Sequence, residues 1–585
     1  MGIFQQALLT YDSMEEKCMG IYPAEKGEPL CPVSHIITSA QIEITLDADG
    51  NFLRAVAVDK SEPKIIIPAT EESAGRTSSP CAHPLCDQLG YLGGHDEKKF
   101  KLYVEQLKNW ANSAHSHPKL KPVLCYVKSR SILHDLVRFG LVEVDAKGVP
   151  DKEKLMVRWR IITPFSQEPE ECWKDRKLFR AFIDYYAQQK GGSALCMVSG
   201  KKTALAMQHP KGVVAINGNA KLISANDSSG FTYRGRFLED WQAATVSYEA
   251  SQKAHAALRW LIANQGDNIG GRAFVCWNPE GLLKTVSPKS PLHPKEVTEQ
   301  IPSDYRASLK KALLGAKERI PADAKTVIAA FDAATTGRLS LTYYNELLAS
   351  DFLDRLHDWD VYCCWWLGEK IFSPYLQEIV NCAYGTERNG WLETDDRVMA
   401  QQFQRLVSCR VDRAKMPRDI MLRLVKRASM PQMYSEKDWR RIVYTACAVI
   451  QKYEEENFME WPLDKQDRSF QFGRLLSAME RAESDYYYNA KEERQTNAIK
   501  SMAVFKQTPW VVFERVNERL ENAYLPRIKP WQRNRYYKIR DEITGILAKC
   551  GEDLNAPLTP YYLMGYELQR NDFYKKNEKI EEEEI

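Results

Sequence analysis

The sequence lacks any long apolar run. Nowhere in its 585 residues does a stretch approach the roughly 18 to 20 apolar residues that a membrane-spanning helix needs. The N-terminus MGIFQQALLTYD lacks the basic and apolar regions of a signal peptide, and Gln6 stands where a myristoylation signal requires Ser or Thr. We therefore expect a cytoplasmic protein without a membrane partner.

Motifs of the common catalytic sites are also missing. The sequence has no Gly-x4-Gly-Lys-Ser/Thr loop, no Gly-x-Gly-x-x-Gly after a strand, no His-Glu-x-x-His and no Gly-x-Ser-x-Gly. The dipeptides His134-Asp135 and His357-Asp358 fall in helical patterns and supply too few ligands for a two-metal site. The sequence therefore predicts a binding or scaffolding protein and not an enzyme.

The cysteines do not form a disulfide framework. Fourteen of them are scattered through a long chain, several inside apolar runs, as is typical of a reducing compartment. Cys81, His83 and Cys86, with His95 further on, are the one cluster with zinc-like ligands. Their spacing is irregular and no second Cys-x-x-Cys half follows, so we predict neither a metal nor another cofactor.

The net charge gives no global sign of nucleic-acid binding, because 81 Lys and Arg nearly balance 78 Asp and Glu. Any such surface must be local. The stretch from Cys196 to Phe237 holds six Lys and Arg, one Asp and five Gly, together with many Ser and Asn. Gly permits close approach of the backbone to a ligand, and Lys and Arg neutralise phosphate. This polar stretch therefore predicts an anion-facing surface.

A second basic region lies on helical patterns. Residues 401–450 contain eleven Lys and Arg against four Asp and Glu. We expect a second anion-facing surface there.

The periodicities predict a multidomain α+β protein. An alternating pattern around Asp49-Gly50 indicates a β-hairpin, and the polar stretch is followed by a helix that Gly266 caps and by a strand at 272–277. After about residue 395 the patterns are helical. We expect a mixed α/β N-terminal domain with long polar loops at 1–395, with candidate subdivisions near 160 and 285, and a C-terminal helical bundle at 396–585.

Several motifs, taken in order, carry a family resemblance. They are GRTSSP and LCDQLGYLGG near the start, CMVSG, HPKGV and LISAN in the polar stretch, and FGRLLSAME and YLMGYELQRNDFYKK near the end. Their order resembles that in the large subunit of the type I-C CRISPR surveillance complex Cascade, the Csd family of the Cas8 group.

The resemblance implies a non-catalytic subunit that recognises the protospacer-adjacent motif (PAM) in duplex DNA. It also implies help with unwinding and R-loop formation, stabilisation of the displaced non-target strand, and helicase-nuclease recruitment in antiviral defence. The C-terminal helices would be similar to the small subunit. The implied partners are crRNA, target double-stranded DNA, the backbone subunits, the guide-processing subunit, the small subunits and the helicase-nuclease effector.

Within the polar stretch, long cations suit phosphates, whereas short polar side chains fit a minor groove and reach base acceptors. We expect recognition of the PAM duplex by Lys201, Lys202, Asn219, Ser224, Asn226, Ser228 and Ser229. Backbone contacts are expected from Lys211, Lys221, Arg234 and Arg236. An early loop adds Arg76, expected to be exposed, with Thr77 and Ser78.

The basic helices suit sequence-independent holding of a single strand. The candidates there are Arg405, Arg410, Arg413, Arg418, Arg423, Lys426 and Arg427. Two other hypotheses stay open at this point: a general RNA-binding scaffold without duplex-DNA sensing, and a nuclease, for which we can assemble no metal cluster.

Overall fold

The computed structural model describes residues 2–23, 27–76, 79–163, 166–215, 218–224, 237–281, 286–292, 300–321 and 323–583. The chain folds as two compact units. Unit 1 comprises Met1–Thr285 and Lys325–Glu346, and unit 2 comprises Val286–Ala324 and Leu347–Ile585. Helices and several small sheets are mixed along the chain, which confirms the predicted α+β class.

The first elements, in chain order, are α1 (Ile3–Cys18), β1 (His35–Ser39), β2 (Ile42–Asp47), β3 (Phe52–Ala57), β4 (Lys64–Pro68), α2 (Glu71–Gly75), α3 (Leu89–Leu92), α4 (Glu97–Ala111), α5 (Leu120–Lys128), α6 (Ile132–Arg138), β5 (Val157–Ile162), α7 (Arg176–Ala187), β6 (Ala194–Leu195), β7 (Lys202–Thr203), α8 (Tyr248–Gln265), β8 (Asp267–Ile269) and β9 (Arg272–Trp277).

Those that follow are α9 (Pro302–Lys317), β10 (Lys325–Thr335), β11 (Arg338–Leu348), α10 (Ala349–Tyr362), β12 (Trp365–Leu367), β13 (Lys370–Phe372), α11 (Leu376–Tyr384), β14 (Thr386–Arg388), β15 (Trp391–Glu393), α12 (Asp396–Val411), α13 (Arg418–Ala428), α14 (Glu436–Glu454), α15 (Arg468–Ala490), α16 (Asn497–Lys500), α17 (Met502–Phe505), α18 (Pro509–Arg519), α19 (Pro530–Leu547) and α20 (Tyr561–Glu583).

Strand β2 is the centre of a three-stranded sheet in unit 1, between antiparallel β3 and parallel β5. Its buried Ile44 lies in register with the buried Trp159 of β5. At the turn into β3, the Asp47 carboxylate accepts the N–H groups of Asp49 at 3.0 Å and Asn51 at 2.8 Å. The hairpin predicted around Asp49-Gly50 is confirmed.

The predicted helix and strand after the polar stretch are also confirmed as α8 and β9. Helix α8 begins after Ser247, whose Oγ accepts the N–H of Ala250 at 3.2 Å, and ends at Gly266, whose N–H donates to the carbonyl of Ile262 at 3.1 Å. At the end of β9, the indole of Trp277 donates to Thr10 of α1 at 3.0 Å.

A four-stranded sheet of order β11-β10-β9-β8 explains the division into units. Strand β10 pairs antiparallel with β9, which precedes it by about fifty residues. Because of this pairing, residues 325–346 belong to unit 1 although the preceding residues belong to unit 2. The chain first passes from unit 1 to unit 2 after Thr285, near one of the candidate subdivisions, and neither unit begins or ends at residue 395. Long-range strand pairing leaves no local pattern in the sequence.

Helices dominate the second half of unit 2. After Glu393, the residues described there form helices and no strand, in agreement with the helical patterns. No helix in the described ranges is long and apolar enough to span a membrane.

Helices α15 and α20 cross at two glycines. A Cβ on Gly473 would lie 1.9 Å from the carbonyl oxygen of Tyr562, and a Cβ on Gly565 would lie 1.9 Å from that of Phe470. Both obstacles are backbone atoms, which no side-chain rotation can move. The crossing therefore requires glycine at both positions.

We predict that Gly473→Ala or Gly565→Ala destabilises unit 2 by roughly 1–3 kcal/mol or more, because the two helices must separate. Gly545 in α19 is a matched control, since an added Cβ there meets nothing within 4 Å. Gly545→Ala should stabilise by about 0.5–1 kcal/mol. Hydrogen exchange of the α15 and α20 amides measures both effects, and equal protection in the three variants would contradict the prediction.

Candidate nucleic-acid interface

A cleft of about 370 Å³ opens in unit 1 where β1, α2 and the polar stretch meet. Residues within 35–38, 69–76 and 208–221 form most of its wall, which is completed by His83, Gln88, Met156, and Gln252 and Arg259 of α8. The HPKG segment at 209–212 therefore lies directly on the cleft.

The carboxylate of Glu71 fixes the polar stretch to α2. One oxygen, Oε1, accepts the backbone N–H groups of Met207 and Gln208 at 2.7 Å each, and Oε2 binds the ammonium of Lys190. The Glu71 side chain is only 3% exposed. Helix α2 starts there because Thr70 caps it, its Oγ1 accepting the N–H of Ser73 at 3.1 Å.

Two cations of the cleft are neutralised by carboxylates. Arg76 donates to both oxygens of Asp87, at 2.6 and 3.0 Å, and Arg259 Nε donates to Glu28 at 2.6 Å. Although burial acts to raise it, Arg259 and Lys64 hold the pKa of Glu28 below its usual value. These pairs are part of the wall and leave little charge for a ligand.

Lys211 and Lys221, which also line the cleft, are not neutralised in this way. Their backbones form an antiparallel bridge, and neither side chain makes an ion pair with any carboxylate in the described ranges. Burial, reinforced by the nearby Lys211 ammonium, lowers the pKa of Lys221, and Glu71 opposes this shift. Among the described lining residues, Glu71 is the one carboxylate. The cleft therefore presents two adjacent cations to an anion.

Gly212 directly follows Lys211 in the bridge that brings the backbones of the two lysines together. Gly212 has φ +76°, and a Cβ there would lie 3.2 Å from the carbonyl oxygen of Gly218. Its N–H donates to the carbonyl of Ala220 at 3.4 Å. A side chain at this position would strain the backbone and push apart the two segments that carry Lys211 and Lys221.

In unit 2, helix α13 has one basic and one apolar side. Ile420, Met421, Leu424 and Val425 are buried, whereas Arg418, Arg423 and Lys426 are exposed. Arg423 Nε donates to the carbonyl of Ala383 at 2.9 Å, and Arg427 Nη2 to that of Gly385 at 2.6 Å. These bonds hold the guanidinium groups against the end of α11.

A family model described as CRISPR-associated protein (Cas_Csd1) matches residues 12–574, which is nearly the whole chain. The chain belongs to this family. A comparison with curated proteins gave no match. The resemblance of the motifs is thus confirmed at the level of the CRISPR-associated Csd family.

The motifs of this Csd family member have distinct structural places. HPKG lines the cleft, whereas CMVSG forms the turn of the β6–β7 hairpin. There Cys196 Sγ accepts the N–H groups of Ser199 at 3.4 Å and Ser247 at 3.2 Å. Burial acts to raise the pKa of this thiol, but these hydrogen bonds lower it to about 7.

The structure places the candidates of the polar stretch apart from one another. Lys201 and Lys202 are exposed on the β6–β7 hairpin and do not line the cleft, while Asn219 and Ser224 are exposed on the 211–224 segment. The other candidates in and before the stretch lie outside the described residues: Thr77, Ser78, Asn226, Ser228, Ser229, Arg234 and Arg236.

Two expectations about arginines need correction. Arg76 was expected to be exposed, but its side chain is only 15% exposed because it pairs with Asp87 and lies 4.7 Å from the Tyr91 ring. Arg410 was expected to face a strand, but both it and Asp360 are fully buried, with Nη2 2.8 Å from Oδ1. The Arg410 side chain is thus unavailable to a nucleic acid on the surface.

The remaining candidates of the basic helices divide into two groups. Arg405 pairs with Asp419 and Arg413 with Asp358, each at 2.6 Å, although Arg413 is 56% exposed. Arg418, Arg423 and Lys426 are exposed without an ion pair to the described carboxylates, and Arg427 is half-buried.

Sequence reasoning missed Glu71 and Lys190, which organise the cleft. Their partners lie more than a hundred residues away along the chain, and no local motif marks either residue.

Two buried histidines lie at the cleft, His209 in its wall and His255 next to it. His209 Nδ1 lies 2.8 Å from Ser251 Oγ, and the His255 ring stacks 6.1 Å from that of His209. Burial, helped by His255 and Lys221, lowers the pKa of His209 to about 3, and burial lowers the pKa of His255 to about 4. Both pKa values lie below the unfolded value of about 6.5, so their stabilising contribution is full above that pH and is lost as the pH falls.

We predict that the opening free energy of α8, measured by hydrogen exchange, falls by about 2 kcal/mol per buried histidine between pH 7 and pH 5. His209→Gln should reduce this loss by about 2 kcal/mol, since one titrating group is gone. His134→Gln, at a side chain that is 80% exposed, is the control and should not change it. An α8 stability that is independent of pH in the unmodified protein would contradict the prediction.

Proposed function

We propose that the chain is the non-catalytic large subunit of a crRNA-guided type I-C Cascade complex. In this role it recognises the PAM in duplex DNA, helps unwinding and R-loop formation, stabilises the non-target strand and licenses helicase-nuclease recruitment. Family membership supports the CRISPR role. The observation that carries the proposal is the pair Lys211 and Lys221, set side by side in a cleft without an ion-pairing carboxylate among the described residues.

Two adjacent cations in a partly desolvated cleft repel each other, and a bound anion relieves that repulsion. A phosphate of the DNA backbone has the required charge and several acceptor oxygens. Gly212 and Gly218 in the wall let the backbone come close to it. We assign this cleft to positioning the duplex, which fixes register without reading sequence.

Reading the PAM requires groups that reach base edges. Asn219 and Ser224 are exposed on the same segment as Lys221, and their short polar side chains suit a minor groove. We assign them to PAM reading, next to the phosphate held in the cleft. The exposed Lys201 and Lys202 would extend the phosphate contacts.

The basic side of α13 suits the displaced strand. Arg418, Arg423 and Lys426 project from one side of a single helix, a spacing that fits consecutive phosphates without choosing a sequence. The proposed partners are crRNA, target duplex DNA, the backbone, guide-processing and small subunits, and the helicase-nuclease effector.

In the reconstituted complex, Lys211→Ala/Lys221→Ala should lower the affinity for PAM duplex and reduce the slope of log K against log salt by about 2, because two phosphate contacts are lost. The affinity ratio between correct and scrambled PAM should not change. Asn219→Ala should lower that ratio instead. Binding is measured by fluorescence anisotropy over a salt series.

Lys98→Ala/Lys121→Ala is the matched control, since both lysines are exposed in unit 1 without an ion pair to the described residues. It should leave affinity and slope unchanged. If the unmodified complex bound correct and scrambled duplexes equally, the protein would be a general RNA-binding scaffold and the proposal would fail.

For the basic helix we predict that Arg418→Ala/Lys426→Ala lowers single-strand affinity equally for all sequences and flattens its salt dependence by about 1 to 2. Lys310→Ala/Lys311→Ala on α9 is the control in the same unit, because both side chains are exposed and neither makes an ion pair with a described carboxylate. A loss confined to particular sequences would remove α13 from this role.

A further inference from the structure

A short hairpin in unit 2 exposes a tryptophan. Strands β14 and β15 are joined by the two-residue turn Asn389-Gly390, with φ of 50° and 77° as a type I′ hairpin requires. Trp391 directly follows the turn and is 53% exposed. About half of this large aromatic side chain is therefore open to solvent, where a partner can reach it.

The hairpin is held rigidly. On its opposite side Leu392 is buried, and the Glu387 carboxylate accepts the N–H of Ser435, the residue that caps α14, at 3.2 Å. At its base, Arg427 of α13 donates to the carbonyl of Gly385. The hairpin that carries Trp391 is therefore anchored to α13 and to the start of α14.

Cations surround the indole. The Nζ of Lys437 lies 4.0 Å from the ring centroid and the guanidinium carbon of Arg441 lies 5.6 Å away, both from α14. Arg388 is the cross-strand partner of Trp391. Arg441 pairs with Glu378, whereas Arg388 and Lys437 make no ion pair with the described carboxylates. The exposed indole thus has two cations of α14 against its ring.

Two arginines of α13 contact the backbone at the base of the hairpin. Arg423 and Arg427 donate to the carbonyls of Ala383 and Gly385, which lie just before β14. The row Arg418, Arg423, Arg427 therefore leads along α13 to the hairpin. A flexible polyanion bound along α13 is thus led to the base of the hairpin that carries Trp391.

We infer that Trp391 is a stacking platform for one base of a single-stranded nucleic acid whose phosphates follow the basic side of α13. Every base offers a π-face, so the platform tolerates any sequence, and Lys437 and Arg388 would meet the flanking phosphates. A duplex cannot use the platform, because its bases are stacked on one another. The inference rests on the proposed function and deepens its strand-holding part.

The test uses the full-length protein and a single-stranded oligonucleotide carrying 2-aminopurine, whose fluorescence is quenched by stacking. Trp391→Ala should weaken binding about 5- to 150-fold, abolish part of the quenching and leave the salt slope unchanged, because no phosphate contact is lost. Trp391→Phe keeps an aromatic face and should retain most of the affinity, which separates stacking from misfolding.

Trp531→Ala is the matched control, since Trp531 is 49% exposed and has one arginine, Arg535, 5.2 Å from its ring. It should bind the oligonucleotide like the unmodified protein. Equal affinities for Trp391→Ala and Trp531→Ala would overturn the inference. The inference would also be overturned if Trp391→Ala lost binding to an acidic protein subunit but kept its affinity for the single strand. We assign PAM-duplex binding to Lys211 and Lys221 in unit 1. A failure of that assignment in the duplex experiment would therefore not change the outcome of this single-strand experiment.

Discussion

The buried carboxylate of Glu71 is the interaction on which the cleft depends. Its two oxygens are fully used, one by the N–H groups of Met207 and Gln208 and the other by Lys190. Since these donors neutralise it, the one acid of the described lining does little to offset the lysines beyond a partial effect on Lys221. The same bond that shapes the polar stretch therefore leaves Lys211 and Lys221 available to an external anion.

Pairing, more than the number of cations, decides which surface is basic. The excess of seven positive charges in residues 401–450 shrinks once Arg405, Arg410, Arg413, Arg440 and Arg441 are matched with carboxylates. What remains is concentrated on α13 and around Trp391. In water a paired surface arginine contributes little to anion affinity, because a phosphate must compete with its carboxylate. The unpaired residues thus define the nucleic-acid surface more narrowly than the sequence count does.

Secondary structure could be predicted from local sequence patterns, whereas the ion-pair partners of charged residues could not. The hairpin at Asp49-Gly50, helix α8 and strand β9 were predictable because turn residues, caps and periodicity act within a few positions. Arg76 and Arg410 were misplaced because Asp87 and Asp360, their partners, are set by the tertiary fold, fifty residues away in the second case. The return of 325–346 to unit 1 could not be predicted for the same reason, since β10 pairs with a strand from before α9.

The motifs that carry the family resemblance serve two physical purposes. FGRLLSAME and YLMGYELQRNDFYKK contain Gly473 and Gly565, where α15 and α20 approach too closely for any side chain. HPKG instead contains Lys211 and Gly212, at the cleft wall. A glycine that a helix crossing requires is a feature of the fold. A lysine without an ion-pairing carboxylate is instead available to bind an anion. The motifs near the C-terminus therefore maintain the helix packing of unit 2, whereas the residues available to a nucleic acid lie on the polar stretch, α13 and the hairpin that carries Trp391.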